Sequence, residues 1–365
     1  MKNIGLALVI ASMTTVGFTA MGQNTQKFTA SKANEYGLVY SLPNTAVEIT
    51  IQTVHTKRVP GEFYNYARRH LAINDAITKP STTVEIGSVN INTRGVANPD
   101  NRWLVQFKSG STPFVILDGN DIPLAVNTET VEESKNPELP AAQAMQPSIL
   151  ETEFARQAMT QEMISSSSIS KRAKLAADRI FELRDMRSEL LSGQADNPPA
   201  DGQAMKLVLD NLARQEEALT AMFAGTEQTW TTVRTITIVP DSTGLDGKVI
   251  ARISPFEGVI DADNLAGEPL TVDVEVIEAG KLPVNDKGET KRFPKGGFAY
   301  QIPGTAKVVI NYEGKEIASA GVTLAQLGVT FGLDPGLFTD KKAPSQLRLD
   351  PATGGILLLG PADRE

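Results

Sequence analysis

Hydrophobic and polar residues alternate along most of the first third of the chain. Val47, Ile49 and Ile51 are separated by polar residues, and similar runs recur at residues 84–91, 103–107 and 114–117. Alternation with a period of two is typical of a strand that buries one face. Residues 62–71 instead place apolar side chains four apart, which predicts a short helix. We therefore predict an N-terminal β-rich domain with a short helix over residues 28–130.

The hydrophobic period becomes helical after residue 165. Residues 131–164, which precede this change, show little periodicity in their first half and are interpreted as a linker. Two apolar stripes with helical spacing follow, ending at Gly193 and Gly225. The intervening residues 195–199 include two prolines and cannot continue a helix. The pattern predicts a long antiparallel αα-hairpin over residues 165–225.

The strand pattern returns at residue 226 and continues toward the C-terminus. Short apolar runs, separated by Gly and Pro clusters, occupy residues 231–239, 248–253, 270–277, 306–312, 317–324 and 347–349. This spacing indicates a small antiparallel sandwich or barrel over residues 226–365. The predicted fold class is therefore α+β, with two β-rich units flanking the helical hairpin.

The first 22 residues have the features of a secretory signal peptide. Lys2 precedes an apolar run over residues 4–20, and the small residues Ala20 and Gly22 stand before Gln23. A positive start, a short apolar run and a small-residue cleavage site favour export, whereas a membrane span needs about 20 uninterrupted apolar residues. We expect residues 1–22 to be removed and the remaining chain to be periplasmic.

Composition narrows the choice of partners. The formal net charge of −8 argues against nucleic acid and anionic lipid, because both require a basic surface. The chain has no cysteine, which excludes disulfides and the lipid anchor that bacterial lipoproteins carry on a cysteine. No apolar stretch after the signal peptide is long enough to insert in a membrane. We expect no cofactor, and an envelope protein partner would hold the chain at the outer membrane if it works there.

Several stretches of the chain resemble one family. They are Tyr40-Ser41-Leu42-Pro43-Asn44-Thr45-Ala46, Pro60-Gly61-Glu62-Phe63-Tyr64-Asn65-Tyr66-Ala67, residues 183–193, Asp201-Gly202, residues 219–225 and Gln326-Leu327-Gly328-Val329. These stretches are similar to those of the DUF4831 family of exported Bacteroidota proteins. The resemblance implies an envelope location and the three-part layout. It assigns no activity and no catalytic residue.

Motifs for catalysis are incomplete. Ser168-Ile169-Ser170-Lys171 matches the S-x-x-K nucleophile motif, but its companion motifs are missing, so Ser168 is interpreted as a helix N-cap. His55 and His70 are the only histidines, and no G-x-S-x-G turn accompanies them. The acidic residues 261–264 resemble a calcium loop only in part and favour a solvated turn. We predict no catalytic residues, no metal site and no enzyme activity.

Two sets of residues are candidates for binding. Arg179, Glu182, Arg184, Arg187 and Glu189 lie on the first predicted helix, where they form either a solvated face of ion pairs or a protein-docking face.

Aromatic side chains that could stack on sugar rings form the other set: Tyr64, Tyr66 and Trp103.

The sequence favours a non-catalytic periplasmic binding or assembly component of the cell envelope that engages a protein partner. Carbohydrate or small-ligand binding is the alternative, and a hydrolase is a distant third.

Overall fold

A computed structural model describes residues 25–27, 37–106, 113–131, 139–196, 199, 202–339 and 344–361 of the chain. The predicted signal peptide, residues 1–22, lies outside the described residues, as does part of the predicted turn between the two long helices.

The described residues form an α+β protein in which strands predominate. In chain order the elements are β1 (Thr25–Lys27), β2 (Leu38–Val59), α1 (Ala67–Leu71), β3 (Ser81–Val105), β4 (Val115–Leu117), β5 (Pro123–Val126), α2 (Glu153–Ala158), α3 (Gln161–Ser165), α4 (Ile169–Ser192), α5 (Gly202–Ala224), β6 (Thr226–Ile238), β7 (Leu245–Ser254), β8 (Gly258–Ile260), β9 (Glu268–Glu278), β10 (Phe298–Tyr312), β11 (Lys315–Leu333), α6 (Gly336–Thr339), β12 (Ser345–Leu349) and β13 (Ile356–Pro361). The strands pair in antiparallel fashion.

The strands form three sheets, and two of them combine strands from both ends of the chain. Their strand orders are β1-β3-β2-β6, β11-β10-β9-β7-β8 and β13-β12-β5-β4. In the first sheet β2 pairs with β6, and in the third sheet β5 pairs with β12. The prediction of two β-rich units on either side of the helices is therefore wrong in one respect, because the units share sheets. Alternation identifies the buried face of a strand but not the strand that pairs with it.

The first and second sheets pack face to face around the main core. The alternating residues Val47, Ile49 and Ile51 of β2 are buried there, as the hydrophobic pattern predicts. They share this core with residues of the second sheet that include Val272 and Val308. Two β-sheets with apolar inner faces bury them by stacking in this way.

A second core joins the helices to the turn after β2. Phe63 and Ala67 are buried with Ile180 of α4 and with Leu219 and Phe223 of α5. The rings of Phe63 and Phe223 lie 5.3 Å apart, and the Phe63 amide donates a hydrogen bond to the Met222 carbonyl at 2.7 Å. The second half of the predicted linker is not a loose connection, since Ala158 of α2 and Met163 of α3 also lie in this core.

Both ends of α4 match the capping signals in the sequence. The Ser168 hydroxyl accepts a hydrogen bond from the Lys171 amide at 3.4 Å, which is the N-cap arrangement. Gly193 ends the helix in the left-handed conformation with a φ of 73°. Within the described ranges, no helix combines the length and apolar character needed to cross a membrane.

Candidate functional site

The two long helices are buried at only one end. In α4 the buried residues lie between Ala173 and Leu183, and in α5 they lie between Ala218 and Phe223. We call residues 184–192 of α4 and 202–217 of α5 the distal segments. These segments hold no buried residue. Several of their large apolar side chains are exposed, with Leu191 at 69% and Leu207 at 70% exposure. At about 1.5 Å per residue, the segments span roughly 14 and 24 Å.

The predicted docking residues fall into two groups. Arg179 and Glu182 form an ion pair within α4 at 2.9 Å, as expected for residues three apart. Arg184 and Arg187 instead contact Glu216 of α5, at 2.6 and 2.9 Å. Glu189 is exposed. Arg184 and Arg187 are therefore brought together with the second helix, whereas Arg179 and Glu182 are paired with each other.

A cleft of about 1070 Å³ lies beside the distal segments. It is bounded by α5, the start of β6 and residues 146–152, and Arg184, Arg187 and Glu216 line it. Arg214 lines it too, with its guanidinium carbon 5.1 Å from the ring centroid of Phe154. Arg214 was missed by the sequence analysis because its aromatic neighbour belongs to the segment interpreted as a linker. The only sequence signal was its position two residues before Glu216.

The predicted stacking aromatics lie in two different parts of the structure. Tyr64 and Tyr66 lie in a 3₁₀ turn before α1, where Tyr66 packs against the helical core. Trp103 lies on β3, where its ring stacks on Phe293 at 5.5 Å and its indole nitrogen donates to Asn101 Oδ1 at 2.8 Å. All three side chains are half-buried. A different cleft, of about 550 Å³, combines an aromatic ring with carboxylates, and Tyr312, Glu268 and Glu313 line it.

His55 is buried between hydroxyl groups and an aromatic ring. It is 2% exposed, and its Nε2 lies 3.2 Å from Thr53 Oγ1 and 3.1 Å from Thr232 Oγ1. Its ring stacks on Trp230 at 5.0 Å, and its Nδ1 has no hydrogen-bond partner among the described residues. Burial lowers the pKa of His55. The polar partners are threonines, so the arrangement does not reproduce a Ser-His-Asp site.

The buried His55 makes stability depend on pH. Because its pKa is lower in the folded state than in the unfolded state, the unfolded chain binds a proton first as pH falls below about 6.5. We expect the free energy of unfolding to fall with pH in that range, with a slope of at most about 1.4 kcal/mol per pH unit from this group. Urea titrations between pH 7.5 and 5 should show a shallower slope for His55→Gln than for the wild type. A His70→Gln control that loses as much slope would contradict this assignment.

The acidic turn after β8 is held by arginine side chains. Arg234 pairs with Asp261 and donates to the Val259 carbonyl at 3.1 Å. Arg252 donates to the Ala262 carbonyl at 3.0 Å. Among the residues that the structure describes, no group of three or more His, Asp or Glu side chains is arranged to hold a metal ion. The turn interpretation of residues 261–264 accounts for these contacts.

The fold and the candidate site define a strand-rich α+β protein with two long helices that expose charged and apolar side chains. The chain belongs to the family described as "Domain of unknown function (DUF4831)", whose model matches residues 36–357. The resemblance to this family is thereby confirmed. Comparisons with curated proteins and with solved structures gave no match.

Proposed function

We propose that this protein is a non-catalytic, periplasmic binding or assembly component of the bacterial cell envelope. In this proposal α4 and α5 form an antiparallel hairpin between the strands that precede and follow it, and the distal segments dock on a protein partner. The observation that carries the proposal is the exposure of Leu191 and Leu207 on segments that have no buried residue.

Apolar exposure of this kind favours association. Burying a leucine side chain that is exposed in the free protein contributes about 1.5 to 3 kcal/mol, so two such anchors can form the centre of an interface. Met186 and Val208, at 41% and 37% exposure, extend the apolar surface of the same segments. Arg184 and Arg187 lie on the same segment as Leu191, and arginine is enriched at protein interfaces.

Site-specific crosslinking tests this proposal. A photo-crosslinking amino acid at position 191 or 207 of the full-length chain should give a discrete higher-mass product in native envelopes. Position 277 is the matched control, because Ile277 is also an apolar residue with 67% exposure but lies on β9. Adding an aspartate at the other anchor should abolish the product. The added change is Leu207→Asp when the crosslinker is at position 191, and Leu191→Asp when it is at position 207. The proposal fails if no product forms, or if position 277 gives the same one.

Carbohydrate or small-ligand binding is the alternative function. The cleft lined by Tyr312, Glu268 and Glu313 supports it, because an aromatic ring beside carboxylates suits a sugar. The predicted aromatics Tyr64, Tyr66 and Trp103 do not line that cleft. The docking proposal is preferred, since it accounts for exposed apolar side chains that the cleft leaves unexplained.

A further inference from the structure

We propose that the cleft beside the distal segments binds an acidic peptide segment of a protein partner. The carboxylates of that peptide would accept hydrogen bonds from Arg184, Arg187 and Arg214, all of which line the cleft. This inference rests on the proposed protein-binding function, and it adds the chemistry of the partner and the place where it binds.

The first argument is the charge balance around Glu216. Arg184 approaches Glu216 Oε1 through Nε at 2.6 Å, and Arg187 approaches Oε2 through Nη1 at 2.9 Å. One carboxylate therefore faces two guanidinium groups, which leaves one positive charge uncompensated. Each guanidinium group has five N–H donors, so both arginines keep donors for a second carboxylate.

The burial of Glu216 fixes the position of these arginines. The Glu216 side chain is only 14% exposed, whereas those of Arg184 and Arg187 are 43% and 38% exposed. The less exposed Glu216 therefore orients two guanidinium groups that remain accessible to a ligand. Arg184 is held a second time, because its guanidinium carbon lies 5.6 Å from the ring centroid of Phe181.

Arg214 supplies a third cation. Its guanidinium group lies over Phe154, and among the described residues no carboxylate pairs with it. Contact with a ring face leaves the N–H donors at the edge of the guanidinium plane available.

The acidic residues of the cleft do not cancel this charge. Glu227 is bound to Arg58 at 2.6 Å, and Glu217 is exposed. The lining alone holds three arginines and three glutamates, and one positive charge is left over when Arg58, the partner of Glu227 outside the lining, is counted with them.

The size and lining of the cleft favour a peptide over a small anion. A volume of about 1070 Å³ slightly exceeds the roughly 300 to 1000 Å³ typical of small-molecule sites. Pro147, Ile149 and Ala221 give it apolar surface, and hydroxyl groups such as those of Thr220 and Thr229 can pair with a peptide backbone. An inorganic anion would use the arginines alone.

Fluorescence anisotropy with the full mature chain tests the inference. The probe is a fluorescein-labelled decapeptide of alternating glutamate and alanine, and a lysine–alanine decapeptide of the same length is the comparison. We expect saturable binding of the acidic probe alone, weakened at least tenfold in the double variant Arg187→Gln/Arg214→Gln. Arg179→Gln is the matched control, because Arg179 lies on the same helix but pairs with Glu182 outside the cleft.

Three results would overturn the inference: no saturable binding, equal weakening by Arg179→Gln, or full competition by millimolar inorganic phosphate, which would indicate a small-anion site. Circular dichroism and thermal melting of each variant exclude loss of folding as the cause. If the acidic probe binds but positions 191 and 207 give no crosslink, the docking proposal fails and the cleft assignment stands. The opposite pattern would reject the cleft and keep the docking surface.

Discussion

Replacing Gly61 with alanine should lower the free energy of unfolding by about 3 kcal/mol. A Cβ atom at this position would lie 2.2 Å from the carbonyl oxygen of Met222 and 2.4 Å from its carbonyl carbon. Both atoms belong to the backbone of α5 and cannot rotate away. Displacing them would also break the hydrogen bond from the Phe63 amide to the same carbonyl. The contact between the turn after β2 and the end of α5 would be lost.

Urea denaturation of the full-length chain measures this loss. Gly119→Ala is the control, because in the described part of the chain no heavy atom beyond Gly119 and its two chain neighbours lies within 4 Å of the Cβ position there. We expect the control to stay within about 1 kcal/mol of the wild type, since alanine in an open position mainly changes the entropy of the unfolded chain. Equal free energies of unfolding for the two variants would show that the close approach at Gly61 is not maintained in solution.

The local elements of the fold follow from the sequence. The alternation at Val47, Ile49 and Ile51 identifies the face of β2 that lies in the main core, and Ser168 and Gly193 mark the ends of α4. These signals act over a few residues and depend on side-chain direction and on unpaired backbone groups at helix ends. β8 spans only three residues and was not predicted, although β4, which is equally short, lies within the predicted run 114–117.

The pairing of the strands does not follow from the sequence. β2 pairs with β6 although more than 160 residues separate the two strands in the chain. The alternation within either strand does not predict which strand is its partner. The predicted division into two β-rich units treated sequence neighbours as spatial neighbours. Sequential strands often do pair, but a helical insertion between two paired strands gives the same local pattern.

The stretches that resemble the family are recognisable as turns and caps, yet the structure gives them a further role. Residues 60–67 meet residues 219–225 through Phe63, Met222 and Phe223, and residues 40–46 meet residues 326–329 through Thr45 and Gln326. Each pair fixes a contact between segments that are distant in sequence. The sequence shows where the chain turns, but the reason for each turn lies in the other segment.

The candidate site was predictable only in part. Arg184 and Arg187 follow Ile180 at helical spacing, so a common face of α4 could be anticipated. Their shared partner Glu216 and the stacking of Arg214 on Phe154 require the relative placement of α4, α5 and α2. The packing of the buried parts of these helices decides that placement. The exposed residues alone do not predict it.

Gln326 joins three separate segments, and we expect Gln326→Leu to lower the free energy of unfolding by about 3 kcal/mol. Its Oε1 accepts from the Thr45 amide at 2.9 Å, and its Nε2 donates to the carbonyls of Thr45 and Pro240 at 2.9 and 3.0 Å. Leucine preserves most of the volume but leaves these three backbone groups without their partner, at roughly 1 kcal/mol or more each.

Thr45 makes this loss hard to repair. It is fully buried, and its hydroxyl is already engaged, donating to the Ala352 carbonyl and accepting from the Ala325 amide at 2.9 Å each. Gln215→Leu on α5 is the control, because the side-chain amide of Gln215 donates, among the described residues, to Asn211 one turn away. Urea denaturation should separate the two variants by at least about 2 kcal/mol. If Gln326→Leu is as stable as the control, water or a neighbouring group reaches the Thr45 backbone, and β2 and β11 are held together by their apolar contacts and by the hydrogen bond from Ala325 to the Thr45 hydroxyl.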